Sequence, residues 1–241
     1  MVIFIIVDDV MLEYPQSVRK NSLEDSKFEE QIREEKLAVA RQFVDRLSKK
    51  DILFAGVSGS VSYRPKAEDD IDIFLIARTN RLWSGLLKAF ITRRLFGNKD
   101  ICISLAFDGR FAANYFKEKI SGLPLKDSVN VVSIFGQNYY EDLISSSPRI
   151  RDVYYFSRKD EAVETYSHKA GDARLGIIEE SCFFILSCWL ELKSLYTNRK
   201  IRREGSPDDQ FETILGLHHF YLESERYRKM NRLMKEHGTN E

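Results

Sequence analysis

Ile52-Leu53-Phe54-Ala55-Gly56-Val57-Ser58-Gly59-Ser60, followed nine residues later by Asp70-Ile71-Asp72-Ile73-Phe74-Leu75-Ile76, is the stretch that decides how this chain is read. Ile52–Val57 is a short apolar run and reads as a buried strand. Ser58-Gly59-Ser60 breaks it. Residues 61–69 are polar and contain Pro65, so they form a connection. Asp70–Ile76 reads as a second strand. Residues two apart on a strand share a face. Asp70 and Asp72 therefore project one way, and Ile71, Ile73 and Leu75 point the other way into a core.

Two carboxylates this close repel unless a cation lies between them. Magnesium suits such a pair, because it takes hard oxygen ligands and keeps room for water and phosphate. Gly59 allows the backbone to approach a phosphate closely. Free amides at a helix start attract anions, and the Ser60 hydroxyl adds a donor. The two halves have complementary tasks: Gly59 and Ser60 for phosphate, Asp70 and Asp72 for metal.

The pattern continues outward. Residues 82–96 predict a helix with Leu82, Leu86, Phe90 and Leu95 on one side, stopped at Gly97-Asn98. Ile101–Phe107 predicts a third strand, closed by Asp108-Gly109. Upstream, residues 14–22 with Pro15 read as a loop. Ser22-Leu23-Glu24-Asp25 then resembles a capping box, opening a helix that runs to about Lys49. Its expected core positions are Phe28, Ile32, Val39, Phe43 and Leu47. Downstream, helices are expected over 138–145, 176–197 and 210–235. Gly205-Ser206-Pro207 separates the last two, and a disordered tail is expected from His237. The fold class is α/β (α+β). A small mixed-sheet domain is expected over residues 1–156, with its signature within 50–108, and a helical domain over 157–241.

The chain has 241 residues, with 37 Lys+Arg balancing 37 Asp+Glu. Zero net charge gives no global attraction to polyanions, so any such site must be a local patch. Cys102, Cys182 and Cys188 match no zinc or redox spacing and read as buried reduced thiols. The four histidines form no metal-ligand pair. Met1–Val7 is apolar but too short to span a bilayer, and it lacks the features of a signal peptide. It reads as a strand or terminal segment. A cytoplasmic protein without membrane contact is expected.

Gly59-Ser60, nine residues, then Asp70-Ile71-Asp72-Ile73 resembles the signature of the DNA polymerase β superfamily of nucleotidyltransferases. Arg81-Leu82-Trp83, Cys102, Ile134-Phe135-Gly136-Gln137-Asn138-Tyr139-Tyr140-Glu141 and Pro148-Arg149-Ile150-Arg151 further resemble a group of prokaryotic proteins with that domain. The resemblance covers about residues 50–156. It implies a magnesium-dependent enzyme, with two metal ions on Asp70 and Asp72. The enzyme would move a nucleoside monophosphate from a nucleoside triphosphate to an acceptor hydroxyl and release pyrophosphate. The acceptor, whether a small molecule, an RNA end or a protein side chain, stays open.

Active members carry a third carboxylate on a later strand. Asp100, at the start of the third strand, is the candidate, with Glu68 and Asp108 as fallbacks. Without one, the chain would be a non-catalytic nucleotide-binding or regulatory module on the same fold. Lys66, in the loop between the signature halves, is a candidate phosphate ligand. Two basic clusters, residues 78–99 and 199–203, are candidate substrate surfaces, and an RNA-binding role is a weaker option for them. Trp83, Trp189 and Tyr196 read as core residues first and as base-stacking residues second.

Overall fold

Ile52–Ser58 (β1), Ile71–Ala77 (β2) and Ile101–Asp108 (β3) form the centre of the sheet in the computed structural model. It describes residues 16–117, 123–147, 150, 176–205 and 209–237. Three more strands extend the sheet: Val132–Phe135 (β4), Phe211–Gly216 (β5) and His219–Ser224 (β6). The order is β4-β1-β2-β3-β6-β5. Among the described strands, only β2 and β3 run parallel. A parallel pair needs a crossover, and here helix α3 (Leu82–Leu95) supplies it. The other described helices are α1 (Gln16–Asp45), α2 (Ser60–Tyr63), α4 (Gly109–Lys117), α5 (Leu123–Asn130), α6 (Gln137–Ser145), α7 (Ile177–Arg203) and α8 (Glu225–His237).

Both faces of the sheet are covered. Val57, Ile73 and Ile103 pack on one face with Phe43, Trp83 and Leu186 from α1, α3 and α7. Phe54, Phe74 and Phe107 pack on the other with Phe116, Tyr140 and Ile144 from α4 and α6. Phe54 stacks on Tyr140 with ring centroids 4.4 Å apart. Burial on both faces explains why the three central strands read as nearly continuous apolar runs.

Several expectations are corrected. Residues 16–21, expected in a loop, already belong to α1, so the helix does not begin at Ser22. Ile32, Phe43 and Leu47 are buried as expected, but Phe28 and Val39 are exposed. The largest correction concerns residues 210–235. A hairpin, β5–β6, replaces the first half of the expected helix, and only α8 is helical. Phe211, Thr213, Ile214, Phe220 and Tyr221 are strand formers. The edge of β3 supplies the partner, with Leu105 opposite Tyr221 and Phe107 opposite His219. Residues on both sides of 156 therefore share one sheet. The expected boundary itself, Met1–Val7, His168 and the tail from 238 lie outside the described residues. No described helix is long and apolar enough to cross a membrane.

One buried carboxylate locks α7 to α3. Glu179 accepts hydrogen bonds from the backbone amides of Trp83 (2.5 Å) and Ser84 (3.1 Å). These are among the first amides of α3, which have no acceptor within their own helix. The Trp83 indole N–H donates to Leu217 O at 3.0 Å, tying the β5–β6 turn to the same point. Replacing Glu179 by alanine leaves two buried amides unsatisfied. Urea unfolding of Glu179→Ala is expected to show a loss of about 2 kcal/mol. An unchanged midpoint would mean that the cap contributes nothing.

Candidate active site at one end of the sheet

The site forms where β1 stops and β2 starts. The antiparallel register sets Ser58 opposite Asp72. Gly59 then turns the chain with φ 68 and ψ −158. A Cβ on Gly59 would lie 2.6 Å from Asp72 Oδ2, so any other residue here would have to push this carboxylate aside. Positive φ favours glycine as well. Ser60 opens α2, whose Val61 is buried as an anchor. Ser62 holds the Gly59 carbonyl through both its amide (3.1 Å) and its hydroxyl (2.7 Å).

Helix α1 ties down the loop that joins the two halves. Lys36 Nζ donates to Ala67 O at 3.1 Å and also to Asp69 O. Lys66 sits in a tight turn, its amide donating to Asp69 Oδ2 at 2.9 Å, and its side chain is exposed. Pro65 is buried. Lys36 is a positioning residue that reading the sequence did not identify. A lone lysine on the polar face of a helix carries no signal of a contact so distant along the chain.

Asp72 shares its face of β2 with Phe74 and Ile76, and Cys102 lies opposite it on β3. A register shift between Ile73 and Phe74 brings in Ser104, whose hydroxyl donates to the Asp72 carboxylate. Burial pushes the Asp72 carboxyl up to about 7. Ser104 pulls it down, and the charges of Asp70, Asp127 and Asp69 push it up further. Asp70 lies just before β2 and is exposed. The same surroundings raise the Cys102 thiol to about 12, through burial first and then Asp72 and Asp70. This thiol is protonated and inert at neutral pH.

Asp127 is the carboxylate that the sequence left hidden. It lies on α5 and accepts a hydrogen bond from the Tyr227 hydroxyl at 3.1 Å, which links α5 to α8. The Tyr63 hydroxyl is also pushed up, by burial and then by Asp127, Asp69 and Asp72. Ser104 therefore touches Asp72 directly, Asp127 and Tyr63 share its electrostatic surroundings, and Tyr227 reaches the group through Asp127. No motif around Asp127 announced it, because only the fold carries α5 to this end of the sheet.

The other expected residues are placed differently. Asp100 is exposed, and its carbonyl accepts from the Ile71 amide at 2.7 Å. The carboxylates that weigh most on Asp72 are Asp70, Asp127 and Asp69 rather than Asp100. Glu68 is exposed in the loop. Asp108 lies opposite Ala77, at the far end of the β2–β3 pair, roughly 17 Å along the strand from Asp72 at 3.3 Å per residue. It is fully buried and accepts from the Phe111 amide (2.9 Å), the Asn80 amide (3.3 Å) and His218 Nδ1 (2.7 Å).

Of the basic cluster, Arg78 and Lys88 also sit at that far end, donating to Lys50 O (2.9 Å) and Asp51 (2.5 Å). Arg93 remains near the site and acts on Cys102 together with Lys193. Trp83 is core, whereas Trp189 and Tyr196 are exposed. Cys182 is buried and Cys188 is exposed, so the expectation of three buried thiols is corrected.

Asp70 and Asp72 carry hard oxygen donors, the ligand type that magnesium takes, and Asp72 is the more buried of the two. Among the described residues, no group of three or more His, Cys, Asp or Glu side chains comes together as a metal-holding cluster.

Asp72 generates a pH prediction. Its folded carboxyl titrates near 7 against an ordinary value of 3.8. Ionisation is therefore harder in the folded chain, and stability falls as pH rises between about 4 and about 7, then stays low. The slope is at most about 1.4 kcal/mol per pH unit. Asp72→Asn is expected to be more stable than wild type at pH 8 in chelator and nearly equal to it at pH 4. Equal differences at both pH values would rule out burial of this charge as the cause.

Comparison of the chain with protein-family models, with curated proteins and with solved structures finds no match.

Proposed function

We propose that the chain is a magnesium-dependent nucleotidyltransferase of the DNA polymerase β type, with a nucleoside triphosphate as donor and an acceptor hydroxyl. The observation that carries this reading is the seating of Gly59 against Asp72, with a Cβ position 2.6 Å from Oδ2. Strand register sets a glycine turn and a buried carboxylate side by side. Phosphate and a divalent cation must lie side by side in the same way if the cation is to bridge to the phosphate.

The residues divide the work. Gly59 leaves the backbone open to a phosphate, and Ser60 offers its hydroxyl. Asp70 and Asp72 hold magnesium, and Ser104 orients Asp72. Magnesium held by these carboxylates would supply positive charge against the triphosphate and the leaving pyrophosphate. Asp127, which accepts a hydrogen bond from Tyr227 and adds to the charge felt by Asp72, is the candidate to take the proton from the acceptor hydroxyl. It replaces Asp100 as the third carboxylate in this reading. The protein is further read as a sheet domain carrying the site, with the C-terminal helices beside it, acting in the cytoplasm.

A second reading, a nucleotide-binding module without turnover, is favoured by one observation. The described residues assemble no three-carboxylate metal cluster. The two readings agree on binding and differ on pyrophosphate release.

Calorimetric titration of ATP, GTP, CTP and UTP with magnesium tests the proposal. Wild type is expected to bind at least one of them only with magnesium, and the Asp70→Ala, Asp72→Ala double variant to bind none. Asp127→Asn is expected to slow pyrophosphate release about 100-fold or more while triphosphate binding persists, and Asp100→Asn to leave both within about twofold. No binding of any triphosphate by folded wild type would reject both readings. Binding without pyrophosphate release across acceptor screens would select the second.

A further inference from the structure

Helix α7 carries two apolar faces. Its inner face buries Cys182, Leu186 and Leu190 against α3, and Phe183 meets Trp83 at 4.9 Å. Its outer face carries Ile178, Phe184, Ile185, Leu192, Leu195 and Tyr196, each 60–75% exposed. At 100° per residue these six fall within an arc of about 120°. An apolar stripe of that width is what a helix normally turns toward a core. At roughly 200 Å² per large side chain, the stripe presents on the order of 800 Å². That exceeds the largest patch of an ordinary monomer, about 300–600 Å². It matches what one partner contributes to a stable protein interface, about 800 Å².

Charge along the helix selects the partner. The first turn is acidic, with Glu180 exposed, and the last turn is basic, with Lys200, Arg202 and Arg203. A second α7 laid antiparallel turns each basic end toward the end of the partner that carries Glu180, whereas a parallel copy would set the basic ends together. The stripe runs from 178 to 196, so its midpoint falls at 187, beside Cys188, which is exposed on the same side.

We propose that the protein pairs with a second copy of itself through the outer face of α7, antiparallel about a two-fold axis that passes near Cys188. The interface is isologous: each stripe covers the other. The pairing makes no use of the candidate active site, so its success or failure is independent of the function proposed above.

Light scattering after gel filtration, at about 5–200 µM protein, tests the pairing. The expected mass is that of two chains. Leu192→Asp, at a position exposed in the single chain, is expected to halve that mass while leaving the circular dichroism spectrum unchanged. A short bismaleimide is expected to join two wild-type chains through Cys188. Cys188→Ser is expected to abolish the cross-link but keep the doubled mass. This readout does not depend on Leu192→Asp folding. Wild type at the mass of one chain throughout the range would overturn the proposal and leave the stripe to another protein or to the chain's own remaining segments. A doubled mass without the Cys188 cross-link would equally overturn it.

Discussion

The pairing of β1 with β2 is the constraint on which the rest of the structure depends. Its register puts Ser58 opposite Asp72, and from that follow the glycine turn, the seat of the carboxylate and the position of α2. Both faces of these strands are covered by apolar side chains. A charge in the middle of the sheet would be desolvated without compensation. Polar groups are therefore driven to the ends of the strands. Asp72 collects at one end with Ser104 and Asp127, and Asp108 at the other with His218.

The two ends solve the same problem in opposite ways. Asp108 is fully buried but receives hydrogen bonds from two backbone amides and a histidine, so its lone pairs are matched within the protein. Asp72 is matched by one hydroxyl and pressed by three carboxylates. An arrangement of the first kind stabilises a fold. The second leaves the carboxylate short of partners, which is what makes Asp72 a candidate for binding. Lys36 and Glu179 are the long-range ties in this scheme. One fixes the loop beside the site to α1, and the other fixes α7 to the start of α3.

Helix α7 extends the argument from burial to assembly. Its inner face completes the core over α3, and its outer face repeats that composition toward solvent. Apolar surface removed from water stabilises whichever contact covers it. The same residue types that close the fold on one side thus prescribe a neighbour on the other.

Much of the centre was legible in the sequence, because local pattern and tertiary role agree there. Three short apolar runs bounded by Ser58-Gly59, Asp70 and Asp108-Gly109 became β1, β2 and β3. The helix between the second and third appeared at Leu82–Leu95. Strand alternation correctly put Asp72 on the opposite face from Ile71, Ile73 and Leu75. Three features were decided only by tertiary structure. Residues 211–224 hold helical and strand patterns in near balance, and the open edge of β3 tips them into a hairpin by offering backbone partners. The carboxylate nearest in effect to Asp72 beyond its own strand is Asp127, delivered by a helix no sequence signal marked, whereas Asp100 is exposed with its carbonyl bound to Ile71. Phe28 and the outer face of α7 are exposed although their spacing reads as core. Periodicity states that a face is apolar but not what lies against it. The sequence alone therefore determined which residues seek burial and which carry charge, since these are properties of single side chains and their spacing. Partnership across distant segments required the fold, because it depends on where the sheet ends and which edge remains open.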